Sequence, residues 1–200
     1  MQDYLNTHSV KKLQLGAGGN VLSGWLNTDI EPHKPEVYRL DATSGFPFAD
    51  NTFDYVFSEH MIEHMTYQEG QKMLQECFRV LKPGGRIRIT CPDIEFLIKL
   101  HKSPGAMETS YVNWASSQLD WAPYADAVFV INNYVRDWGH KFIYSRGVLA
   151  KTLDSVGFNQ LEAFKITESK DENLKNLEIP QRMPPHFLQL ESMTIEGVKP

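Results

Sequence analysis

The segment Leu13-Gln14-Leu15-Gly16-Ala17-Gly18-Gly19-Asn20 sets a glycine-rich turn directly behind a short apolar run. Glycine lets a backbone approach a ligand that a side chain would block, and it tolerates positive φ. A dinucleotide-binding fingerprint would need glycine where Val21 stands, then a full helix and an acid about 20 residues further on. Here a very short connection leads to Asp29 instead, and no lysine–hydroxyl pair follows the glycines, which rejects a phosphate-cradling P-loop as well. Asp29 and Asp41 each close an expected strand, and Ala42 follows Asp41. An acid at the first place can accept both hydroxyls of a ribose. The second is placed to accept from an adenine amino group. Neither calls for a pyrophosphate.

These features together describe a nucleoside ligand without phosphate, of which S-adenosylmethionine is the common one. A second group with chemical capacity is Ser58-Glu59-His60-Met61-Ile62-Glu63-His64. His60 is the first candidate for a base or a substrate-orienting group, because imidazole with an ordinary pKa near 6.5 takes up a proton at neutral pH; Glu59 and His140 are further candidates. His60-x-x-Glu63-His64 also matches the H-x-x-E-H pattern of inverted zinc proteases, in which histidines four apart on one helix face hold the metal. That reading leaves Asp29, Asp41 and the glycine turn unexplained, follows a strand, and lacks an obvious third ligand, so no metal site is expected. The other alternative is a catalytically silent protein that binds the cofactor or a partner without turnover.

Strands must place these residues, and strand-length apolar runs do alternate with stretches of helical spacing, the pattern of a mainly parallel sheet covered by helices. Strands are expected over Lys12–Gly16, Gly24–Asp29, Val37–Asp41 and Phe53–Ser58, the last after the turn residues Ala49, Asp50 and Asn51. Thr66 with Glu69 reads as a capping box. The helix it opens carries Met73, Leu74, Cys77, Phe78 and Leu81 at three- and four-residue intervals, and Pro83-Gly84-Gly85 stops it. Arg86–Cys91 alternates polar and apolar residues as a strand; Pro92 and Asp93 start a helix to about Leu100. Ser145–Val156 reads as a helix closed by Gly157, Phe158–Ile166 as a strand, and a last strand is expected within Phe187–Ile195, after the loop of Pro180, Pro184 and Pro185.

Residues 102–140 break the alternation and hold Tyr111, Trp114, Trp121, Tyr124, Phe129, Tyr134 and Trp138. These rings either pack a helical insertion onto the sheet or line a substrate pocket or lid, since ligand sites favour aromatic walls at the carboxyl ends of parallel strands.

Two hundred residues suit one domain with this insertion. No apolar run approaches the ~20 residues of a membrane span, and MQDYLNTHSVKK lacks the layout of a secretory signal. Cys77 and Cys91 lie in apolar stretches, which argues against a disulfide framework and for the cytoplasm. A net charge of −5 without a dense Lys/Arg cluster argues against nucleic acid as the main partner.

LQLGAGGN, the acid of LNTDI, LDATSGFPFADNTFDYVFSEHMIEHM and RVLKPGGRIRITCPD, in that order, resemble the successive motifs of class I S-adenosylmethionine-dependent methyltransferases. HKFIYSRGVLAKTLDSVGFNQLEAF is similar to the segment before their final reversed hairpin, so the resemblance spans roughly residues 12 to 166. It implies an α/β, Rossmann-like three-layer sandwich whose mainly parallel seven-stranded sheet has the order 3-2-1-4-5-7-6, strand 7 antiparallel. It further implies that Gly16, Ala17 and Gly18 contact the cofactor's methionine part, Asp29 its ribose, and Asp41 with Ala42 its adenine. Ser58 or Glu59 would lie beside the methionine amino group or the substrate. The expected activity is methyl transfer from S-adenosylmethionine, giving S-adenosylhomocysteine, to a small-molecule or glycan acceptor. Two departures stand out: Gln14 replaces the acid usual before the glycine turn, and the helix usual before the second strand is missing. LNTDI and ESKDENLKNLE resemble a subgroup of small methyltransferases linked to surface polysaccharide synthesis.

Overall fold

Leu13 and Leu15 face one side of strand β1 (Lys12–Leu15) and Gln14 the other, and this period of two organises the whole sheet. The structure, a computed structural model, describes residues 1–200. The remaining strands are β2 (Leu26–Asp29), β3 (Val37–Arg39), β4 (Phe53–Glu59), β5 (Leu81–Pro92), β6 (Asn159–Phe164) and β7 (Ser192–Val198). They form one seven-stranded sheet of order β3-β2-β1-β4-β5-β7-β6, parallel except for β7, which runs antiparallel to both neighbours. The expected topology is the one found.

Helices α1 (Gln2–Thr7), α2 (Tyr67–Val80), α3 (Ile94–Lys102), α4 (Ala106–Ser116), α5 (Ala127–Arg136), α6 (Arg146–Val156) and α7 (Phe187–Glu191) complete the order. Leu13, Leu15, Val56, Ile87, Ile89 and Ile195 of the sheet bury against Met73, Leu74 and Cys77 of α2 and Leu149 and Leu153 of α6. Each such side chain contributes roughly 1.5–3 kcal/mol of hydrophobic burial. The sequence dictates both helices locally. Thr66 and Glu69 form the reciprocal capping box, and Ser145 Oγ accepts from the Val148 N–H. Gly157 takes φ +117° to close α6, a conformation only glycine adopts freely.

The opposite sheet face is covered by a different segment. Trp25 and Phe57 pack there against Leu174 and Leu177, so residues 165–179, with a 3-10 turn at Glu172–Leu174, serve as the covering layer. Arg88 and Thr90, on the polar side of the predicted alternation, are fully buried beneath it. Arg88 donates to Glu178 Oε1 at 2.8 Å and to Glu196 Oε1 at 2.6 Å, and its Nη1 also reaches the Glu168 carbonyl at 2.8 Å.

Several boundaries differ from expectation. Gly24 and Trp25 belong to the turn before β2, and β3 stops before Leu40 and Asp41. Leu81 is not helical: α2 ends at Val80, and Pro83-Gly84-Gly85 lies inside β5 as an irregular step between the pairs Phe53–Leu81 and Tyr55–Arg86, with Gly84 at φ +78°. The last strand begins at Ser192, because Phe187, Leu188 and Glu191 bury one face of a short helix first. No helix is long and apolar enough to cross a membrane, and both cysteines are buried free thiols.

Residues 102–140 form α4 and α5. Tyr111, Val112, Val130 and Tyr134 pack with Phe96, Leu97 and Leu100 of α3 and with Phe187 into a second apolar cluster.

Candidate active site

The glycine turn starts where β1 ends. The Ala17 N–H donates to the Thr28 carbonyl at 2.9 Å and the Asn20 N–H to the Ala17 carbonyl at 2.7 Å, which bends the chain across the top of the sheet. Gly16 (φ +66°) and Gly18 (φ +48°) both require the left-handed region. At Gly16 a Cβ would stand 2.5 Å from Met61 Cγ, whereas at Gly18 it would meet nothing within 4 Å.

Asp29 anchors this turn: its Oδ2 accepts from the Gly18 N–H at 2.8 Å and its Oδ1 from the Glu31 N–H at 3.0 Å. Asp41 is exposed and holds its own loop, Oδ1 accepting from the Thr43 N–H at 2.9 Å and from Thr43 Oγ1 at 2.7 Å. Those hydrogen bonds keep its carboxyl below the usual range. Ala42 is buried behind it.

Two cavities meet at the turn. One, about 460 Å³, is bounded by Gly18, Asp29, Asp41, Ala42, Met61 and Lys141. The other, about 390 Å³, is bounded by Gln14, Ala17, Asn20, Glu59, Ile179 and Arg182. Gly16, Gly18 and His60 line both. The predicted residues Gly16, Ala17, Gly18, Asp29, Asp41, Ala42, Glu59 and His60 are therefore gathered around one space. Ser58 is not: it is buried and lines neither cavity. The acid that does line the second cavity is its neighbour Glu59, on the opposite sheet face.

Sequence reasoning missed Arg182, Asn20 and Lys141. Arg182 Nη2 lies 3.4 Å from Glu59 Oε1, and Asn20 Nδ2 donates to Glu59 Oε2 at 3.3 Å and to the Leu177 carbonyl at 2.8 Å. Burial still raises the Glu59 carboxyl above its usual range, against the pull of Arg182. Gln14 Oε1 and Glu59 Oε1 are buried acceptors with no hydrogen-bond donor. Such groups are rare without a partner and point to a polar ligand there.

His60 sits in the left-handed region at φ +46°, with its N–H donating to the Thr90 carbonyl at 2.8 Å. Its Nε2 is 2.7 Å from Ser192 Oγ, and its Nδ1 is 3.4 Å from Glu63 Oε1. Burial, and then the charges of Arg182, His140 and His64, hold the imidazole well below its usual pKa, so it is neutral at pH 7. The inverted-zincin geometry does not form. His60 precedes the 3-10 turn Ile62–His64 rather than sharing a helix face with His64.

A third cavity of about 580 Å³ lies in the insertion, walled by Tyr111, Trp114, Trp121, Tyr134 and Trp138 with Glu191. The rings thus both pack and wall a cavity, since Tyr111 and Tyr134 also belong to the packed cluster. Met183 lines this cavity and the adjacent Arg182 lines the glycine-turn cavity; Glu191 lines it and the adjacent Ser192 contacts His60.

Residues 14–89, from β1 into β5, match the family model described as a methyltransferase domain. The ubiquinone/menaquinone biosynthesis C-methyltransferase of Roseobacter denitrificans is 44% identical over 55 residues, 26% of this chain and 21% of that protein. Phosphoethanolamine N-methyltransferase 2 of Caenorhabditis elegans is 42% identical over 53 residues, 26% of this chain and 12% of that protein. The matches thus span a small part of the curated relatives' length. A methyltransferase from Archaeoglobus fulgidus superposes with a TM-score of 0.55 at 16% identity, over 99% of this chain and 90% of that one. Phosphoethanolamine N-methyltransferase 2 of Haemonchus contortus, crystallised with S-adenosyl-L-methionine, superposes with a TM-score of 0.54 at 16% identity, over 96% of this chain and 49% of that one. The region matched to the methyltransferase-domain model carries the glycine turn and both acids, and the full seven-stranded topology around it is the fold shared with these solved structures.

Proposed function

We propose that the paired cavities at Gly16, Gly18 and His60 bind S-adenosylmethionine and that the chain transfers its methyl group to a small-molecule or glycan acceptor. The observation that carries this reading is that one glycine turn separates an acid-lined cavity on the β2 and β3 side from one bounded by Gln14, Glu59 and Arg182. A nucleoside joined to a zwitterionic amino acid needs those two environments side by side. Asp29 receives the ribose and the Asp41–Ala42 backbone the adenine. Glu59 and the Gln14 carboxamide oxygen accept from the amino group, and Arg182 faces the carboxylate. Gly18, at φ +48°, lines both cavities.

When bound, the cofactor supplies an electrophilic methyl group on a sulfonium, and its displacement needs alignment and exclusion of water above all. His60, lining both cavities, orients the acceptor or takes its proton. Both its nitrogens face protein groups, Nε2 the Ser192 hydroxyl at 2.7 Å and Nδ1 Glu63 Oε1 at 3.4 Å, so the acceptor reaches the imidazole by displacing one of these contacts. The aromatic cavity of the insertion holds the rest of the acceptor. The buried free thiols fit a cytoplasmic setting.

The test is a thermal shift with S-adenosylhomocysteine, followed by transfer of labelled methyl to fractionated metabolites and glycan precursors. A ligand bound only by the folded state at 100 times its Kd stabilises by about 2.7 kcal/mol. A melting temperature unmoved by millimolar S-adenosylhomocysteine refutes the reading.

A further inference from the structure

Glu63 is 1% exposed, yet neither of its carboxylate oxygens meets a hydrogen-bond donor. Removing a carboxylate from water without partners costs several kcal/mol, so such a group is protonated or neutralised by a cation. Three imidazoles surround it. His60 is committed, its Nε2 held by Ser192 and its Nδ1 3.4 Å from Glu63 Oε1. His64 and His140 stand edge to face with ring centroids 4.9 Å apart, and one ligand atom from each of Glu63, His64 and His140 lies within 4.8 Å of the others.

The His140 ring is already oriented as metal-bound imidazoles usually are, with one nitrogen on the backbone and the other free. His140 Nδ1 lies 2.6 Å from the Tyr134 carbonyl. A carbonyl only accepts, so Nδ1 carries the proton and Nε2 keeps its lone pair. His64 turns Nδ1 toward Gly139. The bend that delivers His140 is strained, with Trp138 at φ +58° and Gly139 at φ +76°. The Lys141 and Phe142 N–H groups then donate to the Glu63 carbonyl at 2.8 and 3.2 Å, which pins this return segment beside Glu63.

We propose that Glu63, His64 and His140 form a binding site for a divalent transition cation of the zinc class. Two imidazoles and one carboxylate suit zinc, cobalt or nickel rather than calcium or magnesium. Ligand bonds of about 2.0–2.2 Å in tetrahedral zinc put ligand atoms about 3.4 Å apart. The widest separation of 4.8 Å therefore closes by about 1.4 Å, through side-chain rotation. His64 also lines the cavity of Asp29 and Met61, from which water can complete the coordination. The cation ties the end of the aromatic insertion to the segment behind β4 and fixes the acceptor side against the cofactor side.

The protein, stripped with chelator and reloaded with zinc or cobalt(II), is desalted and its metal content measured. One equivalent is expected, with a raised melting temperature and, for cobalt, visible d–d absorption. Glu63→Gln and His140→Ala, each folded by its melting transition, are expected to weaken binding by about 100-fold or more, since even second-shell changes cost 10–100-fold. No retained metal in the parent protein, or undiminished binding in both variants, overturns the proposal. All these readouts are independent of methyl transfer.

Discussion

The Asp29 carboxylate accepts the Gly18 N–H at 2.8 Å, so the acid that closes β2 fixes the glycine turn that closes β1. Its role is double: it faces the cavity and shapes the loop that walls it. Hydrogen bonds to charged groups contribute about 1.5–3 kcal/mol, and each 1.4 kcal/mol is tenfold in affinity. Asp29→Ala is therefore expected to weaken S-adenosylhomocysteine binding by about 10- to 100-fold in calorimetry while the fold survives. Unchanged affinity would remove Asp29 from the site.

Met61 leaves no room for a Cβ at Gly16, and the φ of +66° there is a second, independent constraint. For Gly16→Ala the left-handed backbone costs about 1–2 kcal/mol, and overpacking adds about 1–3 kcal/mol. The double variant Gly16→Ala/Met61→Ala removes the 2.5 Å contact with Cγ but keeps the one at 2.9 Å with Cβ, and is expected to regain part of the packing cost and none of the backbone cost, as measured by chemical denaturation. Full recovery would mean that φ is unstrained there.

The site's left half was legible because it is local. A turn, two acids at strand ends and a capping box are each encoded within a few residues, and the sheet order follows from the family resemblance. The right half depends on residues 165–183 folding back over the sheet, and that segment has no period to read. Arg182 and the Asn20–Leu177 contact therefore had no signal. Arg88 misleads for the same reason: alternation marks the polar face of β5 but not the segment that buries it. His60 was legible as a type but not as a geometry, since nothing local announces φ +46°.

That buried arginine supports a sharp test. Arg88 and its two partners Glu178 and Glu196 are almost wholly removed from solvent, at 0%, 0% and 3% side-chain exposure. Arg88→Ala leaves two carboxylates uncompensated and is expected to cost about 3–5 kcal/mol, roughly 10 °C in melting temperature. Arg88→Met/Glu178→Gln/Glu196→Gln removes the charges, keeps an amide oxygen for the Thr167 N–H and one for Ser169, and lets the amide introduced at position 178 donate to the Thr90 hydroxyl, so it should recover most of that loss. A triple variant as unstable as the single one would show that the arginine's hydrogen bonds, not charge balance, matter.

Glu191 closes the floor of the aromatic cavity, where Tyr111 donates to it. Burial raises its carboxyl to about 7, against the lowering pull of Tyr111, Arg182 and Tyr134. In the unfolded chain the same group ionises near 4.5. Between those values the folded state keeps a proton that the unfolded state has lost, so this contribution is fully present below about pH 4.5 and is lost as pH rises through about 7. The size is roughly 3 kcal/mol. Urea denaturation from about pH 4.5 to about pH 8 should show the parent protein losing that much relative to Glu191→Gln, which cannot ionise. A difference that stays flat across this range would mean the carboxylate is ionised in the fold, and the cavity floor would then carry a negative charge suited to a cationic acceptor.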